Sequence, residues 1–212
     1  MRIIGIDPGL TRCGIGIIDM DSQRRAQLVH VEVARSPQNM ASHFRLDKIR
    51  RRIAAAIEEH QPEVMSIERV FAQDNVQSVT STMWVMGVAM SEAAAHQLPL
   101  AIHTPSEVKA AVTGSGVAGK AQVQHMVQRI LRMEKVVRPA DAADALAIAI
   151  CHGWRRDGLQ GASRDGTVNV SLSGKISSRG NLTAAQKLWA QAQATSRRTG
   201  AVDPRLRRNK GK

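Results

Sequence analysis

"RIIGIDPGLTRCGIGIIDMDSQRRAQLVHVEVA", residues 2–34, decides the fold. It divides into three runs of strand character, 2–7, 13–19 and 26–34. The first is continuously apolar and ends on an acid, while the other two alternate. Pro8 has a fixed φ and Gly9 admits an unusual one, so the chain must turn directly after Asp7. Strands this close together predict an antiparallel meander, because a parallel crossover needs about a dozen residues or more.

The pattern then changes. "FRLDKIRRRIAAAIEEH" (44–60) has helical apolar spacing, "EVMSIE" (63–68) reads as a strand, 76–97 as a helix and "LPLAIHT" (98–104) as a strand. Helices are expected at 105–113, 120–134 and 140–152. A meander followed by βαβα alternation predicts an α/β fold, a mixed five-stranded sheet with helices on both faces. That order is the ribonuclease-H-like one. It occupies residues 1–154 and leaves a C-terminal tail, 155–212.

Charge separates these two parts. Of the net charge of +12, residues 155–212 supply +10, with 13 Lys or Arg against Asp157, Asp165 and Asp203. The Gly/Ser-rich stretch 155–180 reads as largely disordered, 181–194 as a short helix carrying Leu188 and Trp189, and "RLRRNKGK" (205–212) as a polyanion-binding cluster. Charge of one sign so concentrated favours nucleic-acid contact over a merely solubilising role.

No apolar run approaches the about 18 residues of a membrane span, and "MRIIGID" reads as a strand rather than a signal peptide, so a cytoplasmic location is expected. Cys13 and Cys151 form no metal-ligand pair, and the seven histidines show no HxxH or HxxxH spacing. Zinc chemistry therefore has no support.

The carboxylates are more informative. Asp7 and Glu68 end the first and fourth strands, which are parallel neighbours in this order, and sites in open α/β sheets lie at the carboxyl ends of strands. "RPADAADALAIAI" (138–150) opens a strongly apolar helix with Asp141 and Asp144 on one side. Acids in a first helical turn offset the helix dipole, which accounts for Asp141 better than for Asp144, one turn deeper on a helix with hardly any polar face. Four converging carboxylates repel unless divalent cations sit among them, and oxygen-only ligands suit Mg²⁺ or Mn²⁺. Two such ions about 4 Å apart activate a water for in-line attack on a phosphodiester.

One tempting motif fails. "GSGVAGKA" (114–121) has G-x-x-x-x-G-K, but Ala121 stands where a phosphate-binding loop needs Ser or Thr, and a helix precedes it. The hairpin "GIDPGLTRCGIGI" is similar to the phosphate hairpin of actin-like and sugar kinases, which need two such domains, more than this chain can hold.

Taken together, "IIGIDPGLTRCGIGIID", "SIERVF", "EVKAAVTGSGVAGKAQVQHMV" and "RPADAADALAIAICH" resemble the RuvC family of crossover-junction endodeoxyribonucleases, over essentially all of residues 1–153. The resemblance implies that Asp7, Glu68, Asp141 and Asp144 are metal-binding catalytic acids using Mg²⁺. It implies a homodimer that nicks opposite strands of a four-way DNA (Holliday) junction in recombination and repair, beside the RuvA and RuvB branch-migration proteins. It further implies that Lys109 and Lys120 lie near the scissile phosphate. Phe71 has two readings: stacking on an unpaired base at the crossover, as the family suggests, or packing on the core. The helix bearing Met83, Trp84, Met86 and Met90 likewise reads as a dimer contact or as a core-facing helix. The rival functional class is a catalytically silent, basic DNA-binding protein, which has no reason to keep a repelling cluster of acids.

Overall fold

The computed structural model describes residues 1–69 and 76–155. Phe71 and the basic tail from residue 156 onward, with the helix expected at 181–194, lie outside the described residues. Strands β1 (Arg2–Asp7), β2 (Arg12–Met20) and β3 (Ala26–Arg35) form the expected antiparallel meander. β4 (Val64–Glu68) and β5 (Leu100–His103) add in parallel beside β1, giving the order β3-β2-β1-β4-β5. The helices are α1 (Ser42–His60), α2 (Val76–Ala95), α3 (Pro105–Thr113), α4 (Lys120–Ile130) and α5 (Ala140–Arg155).

Two boundaries differ from expectation. α4 stops at Ile130 rather than 134, because Arg132 turns into left-handed backbone with φ 52°. α5 continues to Arg155, through the expected end of the domain, and the Trp154 indole N–H donates to the Arg24 carbonyl at 2.9 Å. Among the described residues no helix is long and apolar enough to cross a membrane.

Strand alternation divides the core between the two faces of the sheet. Ile4, Ile6, Ile15, Ile17, Met65 and Ile67 point to one face, where they meet Ile49 and Ile53 of α1 and Val85 and Ala89 of α2. Ile3, Ile18 and Val64 point to the other face, covered by α3, α4 and α5. α5 is the centre of that second layer: from Ala142 to Gly153 every residue except Asp144 is buried.

Glycines let α5 lie directly on the strands. A Cβ at Gly5 would collide with the Ala145 carbonyl and one at Gly14 with the Asp141 carbonyl, while one at Gly16 would stand 2.9 Å from the Leu146 nitrogen. Backbone fills the space a side chain would need, and backbone cannot step aside. Gly5→Ala and Gly14→Ala are each expected to cost roughly 2–3 kcal/mol in urea unfolding, the scale of overpacking a rigid interior. An unchanged midpoint would mean that α5 backs away freely.

Candidate active site

Parity along the strands aims the two strand acids. Ile3 and Gly5 face α5, so Asp7, two residues further on, faces it too. On β4, Val64 packs on the α5 side and the Ser66 hydroxyl donates to the Ile148 carbonyl at 3.4 Å. Glu68 continues that series. Asp7 and Glu68 therefore leave adjacent parallel strands toward the start of α5, where Asp141 stands in the first turn and Asp144 one turn deeper.

All four acids line one cleft of about 370 Å³. Lys109 of α3 and Lys120, the first residue of α4, line it as well, with Arg12, Pro105, Val108 and Val123. Thr104 aims α3 through a capping box: its hydroxyl accepts from the Glu107 N–H at 3.2 Å, and the Glu107 carboxylate accepts from the Thr104 N–H at 2.7 Å. Asp7, Glu68, Asp141, Asp144, Lys109 and Lys120 thus all line this cleft.

Arg12 was missed. Its Nε stands 3.1 Å from an Asp141 carboxylate oxygen, and the side chain is otherwise half exposed. The signal was present in the hairpin: with Asp7 opposite Gly14, the turn after Asp7 returns residue 12 to the mouth of the site. Also missed was a buried histidine pair behind Glu68. His103, the β5 partner of Glu68 in the ladder, places Nε2 3.3 Å from Nδ1 of His152 on α5.

The acids raise one another's proton affinity. Asp7 is pushed up to about 8, first by burial and then by the charges of Asp144, Glu68 and Asp141, with Lys120 opposing. Glu68 is pushed up to about 7 by burial and then by Asp144, against Lys109 and Lys120. Asp144 is also raised, chiefly by burial, with Lys120 as the largest opposing influence. Negative charge exceeds what the lysines offset, and the donors are all oxygen. That donor set fits a hard divalent cation. The acids do not form a closed cage: among the described residues no three His, Cys, Asp or Glu are gathered closely enough to hold an ion by themselves. Sites of the Mg²⁺ type commonly complete their shells with water and substrate phosphate, so an open arrangement agrees with the donor chemistry.

The raised values set a pH dependence. An acid whose proton is held more tightly in the folded state contributes its stability at low pH and loses it as pH rises toward the folded value. In EDTA the protein is expected to lose stability between about pH 4 and about pH 8, the window bounded by the ordinary carboxylate range and the raised value of Asp7. Asp7→Asn should flatten that slope and make the protein more stable than wild type at pH 8. Chemical denaturation across this range checks it; a flat wild-type profile would contradict the coupling.

A ribonuclease-H-like sheet carrying an oxygen-donor cluster at its strand ends is suited to metal-assisted phosphodiester hydrolysis. The family model described as crossover junction endodeoxyribonuclease RuvC matches residues 3–152. A protein of that description from Leifsonia xyli subsp. xyli (strain CTCB07) is 48% identical over 208 residues, 98% of this chain and 99% of that protein. The Thermus thermophilus RuvC structure superimposes with TM-score 0.69 at 31% identity, covering 75% of this chain and 98% of that one. A second structure, T. thermophilus RuvC in complex with Holliday junction substrate, gives 0.68 at 32%, covering 72% and 92%. This chain belongs to the RuvC family of crossover junction endodeoxyribonucleases, enzymes that hydrolyse phosphodiester bonds. The alignment with the L. xyli protein runs beyond the end of the family match, so the basic tail has a counterpart in that relative.

Proposed function

We propose that this protein resolves four-way DNA junctions by paired, symmetric nicks on opposite strands, in homologous recombination and DNA repair. The observation that carries this reading is the convergence of Asp7, Glu68, Asp141 and Asp144, from three separate segments, on one cleft. These four side chains would hold Mg²⁺, two ions per site, with Mn²⁺ as a substitute. Bound there, the metal supplies an activated water and charge stabilisation for in-line hydrolysis.

The chain's own groups do the rest. Lys109 and Lys120 bring positive charge to the cleft, where a scissile phosphate needs it. Burial raises the proton affinity of Asp7 and Glu68, and a cation bound there would displace the proton. Phe71 is the candidate for stacking on an unpaired base at the crossover, and the tail from 155 to 212 adds phosphate contacts. RuvA and RuvB are the expected partners and the cytoplasm the expected location.

The test offers a synthetic four-way junction and a linear duplex of the same sequence with Mg²⁺. Symmetric cutting of the junction is expected, with Asp7→Asn lowering the rate by at least about a hundredfold while junction binding persists. Equal cutting of both substrates would leave a nuclease but remove the junction from the proposal.

A homodimer is supported by α2. Val85, Ala89 and Ala93 are buried in the core, whereas Met83, Trp84 and Met90 are 58%, 47% and 40% exposed. Met86 lies between these sets, partly buried against the core. Gly87, on the outer face between Met83 and Met90, has nothing within 4 Å of its missing Cβ, so a second helix can approach closely there. Trp84→Glu is expected to weaken the dimer about tenfold or more in analytical ultracentrifugation without unfolding the protein, and to uncouple the two nicks. An unchanged association constant would move the dimer contact elsewhere.

A further inference from the structure

A second cleft, of about 610 Å³, lies at the opposite end of the sheet among Arg24, Arg25, Leu28, Arg132, Met133 and Trp154. β2 runs from the acid cluster at Gly14 to this end at Met20, about 20 Å at about 3.4 Å per residue. The floor is apolar: Leu28, Met133 and Trp154 pack on the core beneath α5 yet stay partly exposed. The rim is cationic, and among the described residues no acid lines the cleft. Arg25 is paired with Asp21 at 2.7 Å, while Arg24 and Arg132 stand exposed.

The cleft is also held in shape. The hydrogen bond from the Trp154 indole to the Arg24 carbonyl ties the end of α5 to the β2–β3 turn. Arg24 and Arg132 both adopt left-handed backbone, φ 63° and 52°, a conformation unfavourable for residues other than glycine.

We propose that this cleft docks an acidic segment of a partner protein, which inserts a bulky apolar side chain against Trp154 and Met133 and meets Arg24 and Arg132 with carboxylates. Arginine and tryptophan around a desolvated pocket are the residues that dominate protein interfaces. Duplex DNA offers a convex surface without an apolar side chain to cover the floor. Residues 155–212 carry +10, the same sign as the rim. The cleft shares no lining residue with the acid cluster. The proposal does not rest on the nuclease reading, and its readout is binding.

The experiment uses the full-length chain, ¹⁵N-labelled, and follows the indole resonance of Trp154, one of three tryptophans in the sequence. The probe is a 12-residue peptide of glutamates with three leucines at helical spacing. A saturable shift of the Trp154 resonance is expected, absent with a lysine-for-glutamate version of the peptide. Replacing Arg24 and Arg132 by Asn removes the charges in a residue that tolerates left-handed backbone, so folding is retained. That double variant should bind the peptide about tenfold more weakly and cut a junction at the wild-type rate. Three results would overturn the proposal: no shift at millimolar peptide, an equal shift with a single-stranded oligothymidine, or contacts between Trp154 and Leu188 or Trp189 that the peptide does not displace.

Discussion

The close approach of α5 to β1 and β2 is the constraint on which the site depends. Gly5, Gly14 and Gly16 leave out the side chains that would separate helix from sheet, and the backbone carbonyls of Asp141 and Ala145 occupy that space. The first turn of α5 is thereby held against the ends of the two central strands. Asp141 and Asp144 come within electrostatic range of Asp7 and Glu68 as a direct result. A bulkier residue on those strands would lift the helix and dissolve the cluster.

The same packing makes the cluster a liability to the fold in the absence of a cation. Burial and mutual repulsion raise Asp7, Glu68 and Asp144 above the ordinary carboxylate range, and Lys109 and Lys120 offset this only in part. Arg12 engages Asp141 across 3.1 Å. The site thus gives up stability to keep oxygen donors together, the usual exchange at functional centres.

The two ends of the sheet divide the labour. At the carboxyl ends of β1 and β4 stand acids, lysines and an open cleft suited to a phosphodiester. At the other end stand arginines, a tryptophan and an apolar floor suited to a protein segment. α5 joins them, with Asp141 and Asp144 near its start and Trp154 in its last turn.

Much of this was legible in the sequence. The meander in residues 2–34 and the βα alternation after it set the strand order, since short turns and periodicity are local properties. The grouping of Asp7, Glu68, Asp141 and Asp144 was readable because two strand-end acids fall at one sheet edge and α5 has no polar face for Asp144. Three things only the tertiary structure decided. It brought Arg12 to Asp141 and His103 to His152, pairings across elements that no local pattern encodes. It divided the methionines and tryptophan of α2 between core and surface, because which stripe is buried depends on what α1 and the sheet leave uncovered. And it built the basic cleft from the β2–β3 turn and the ends of α4 and α5, three segments far apart in the chain that become neighbours only when α5 settles onto its glycines.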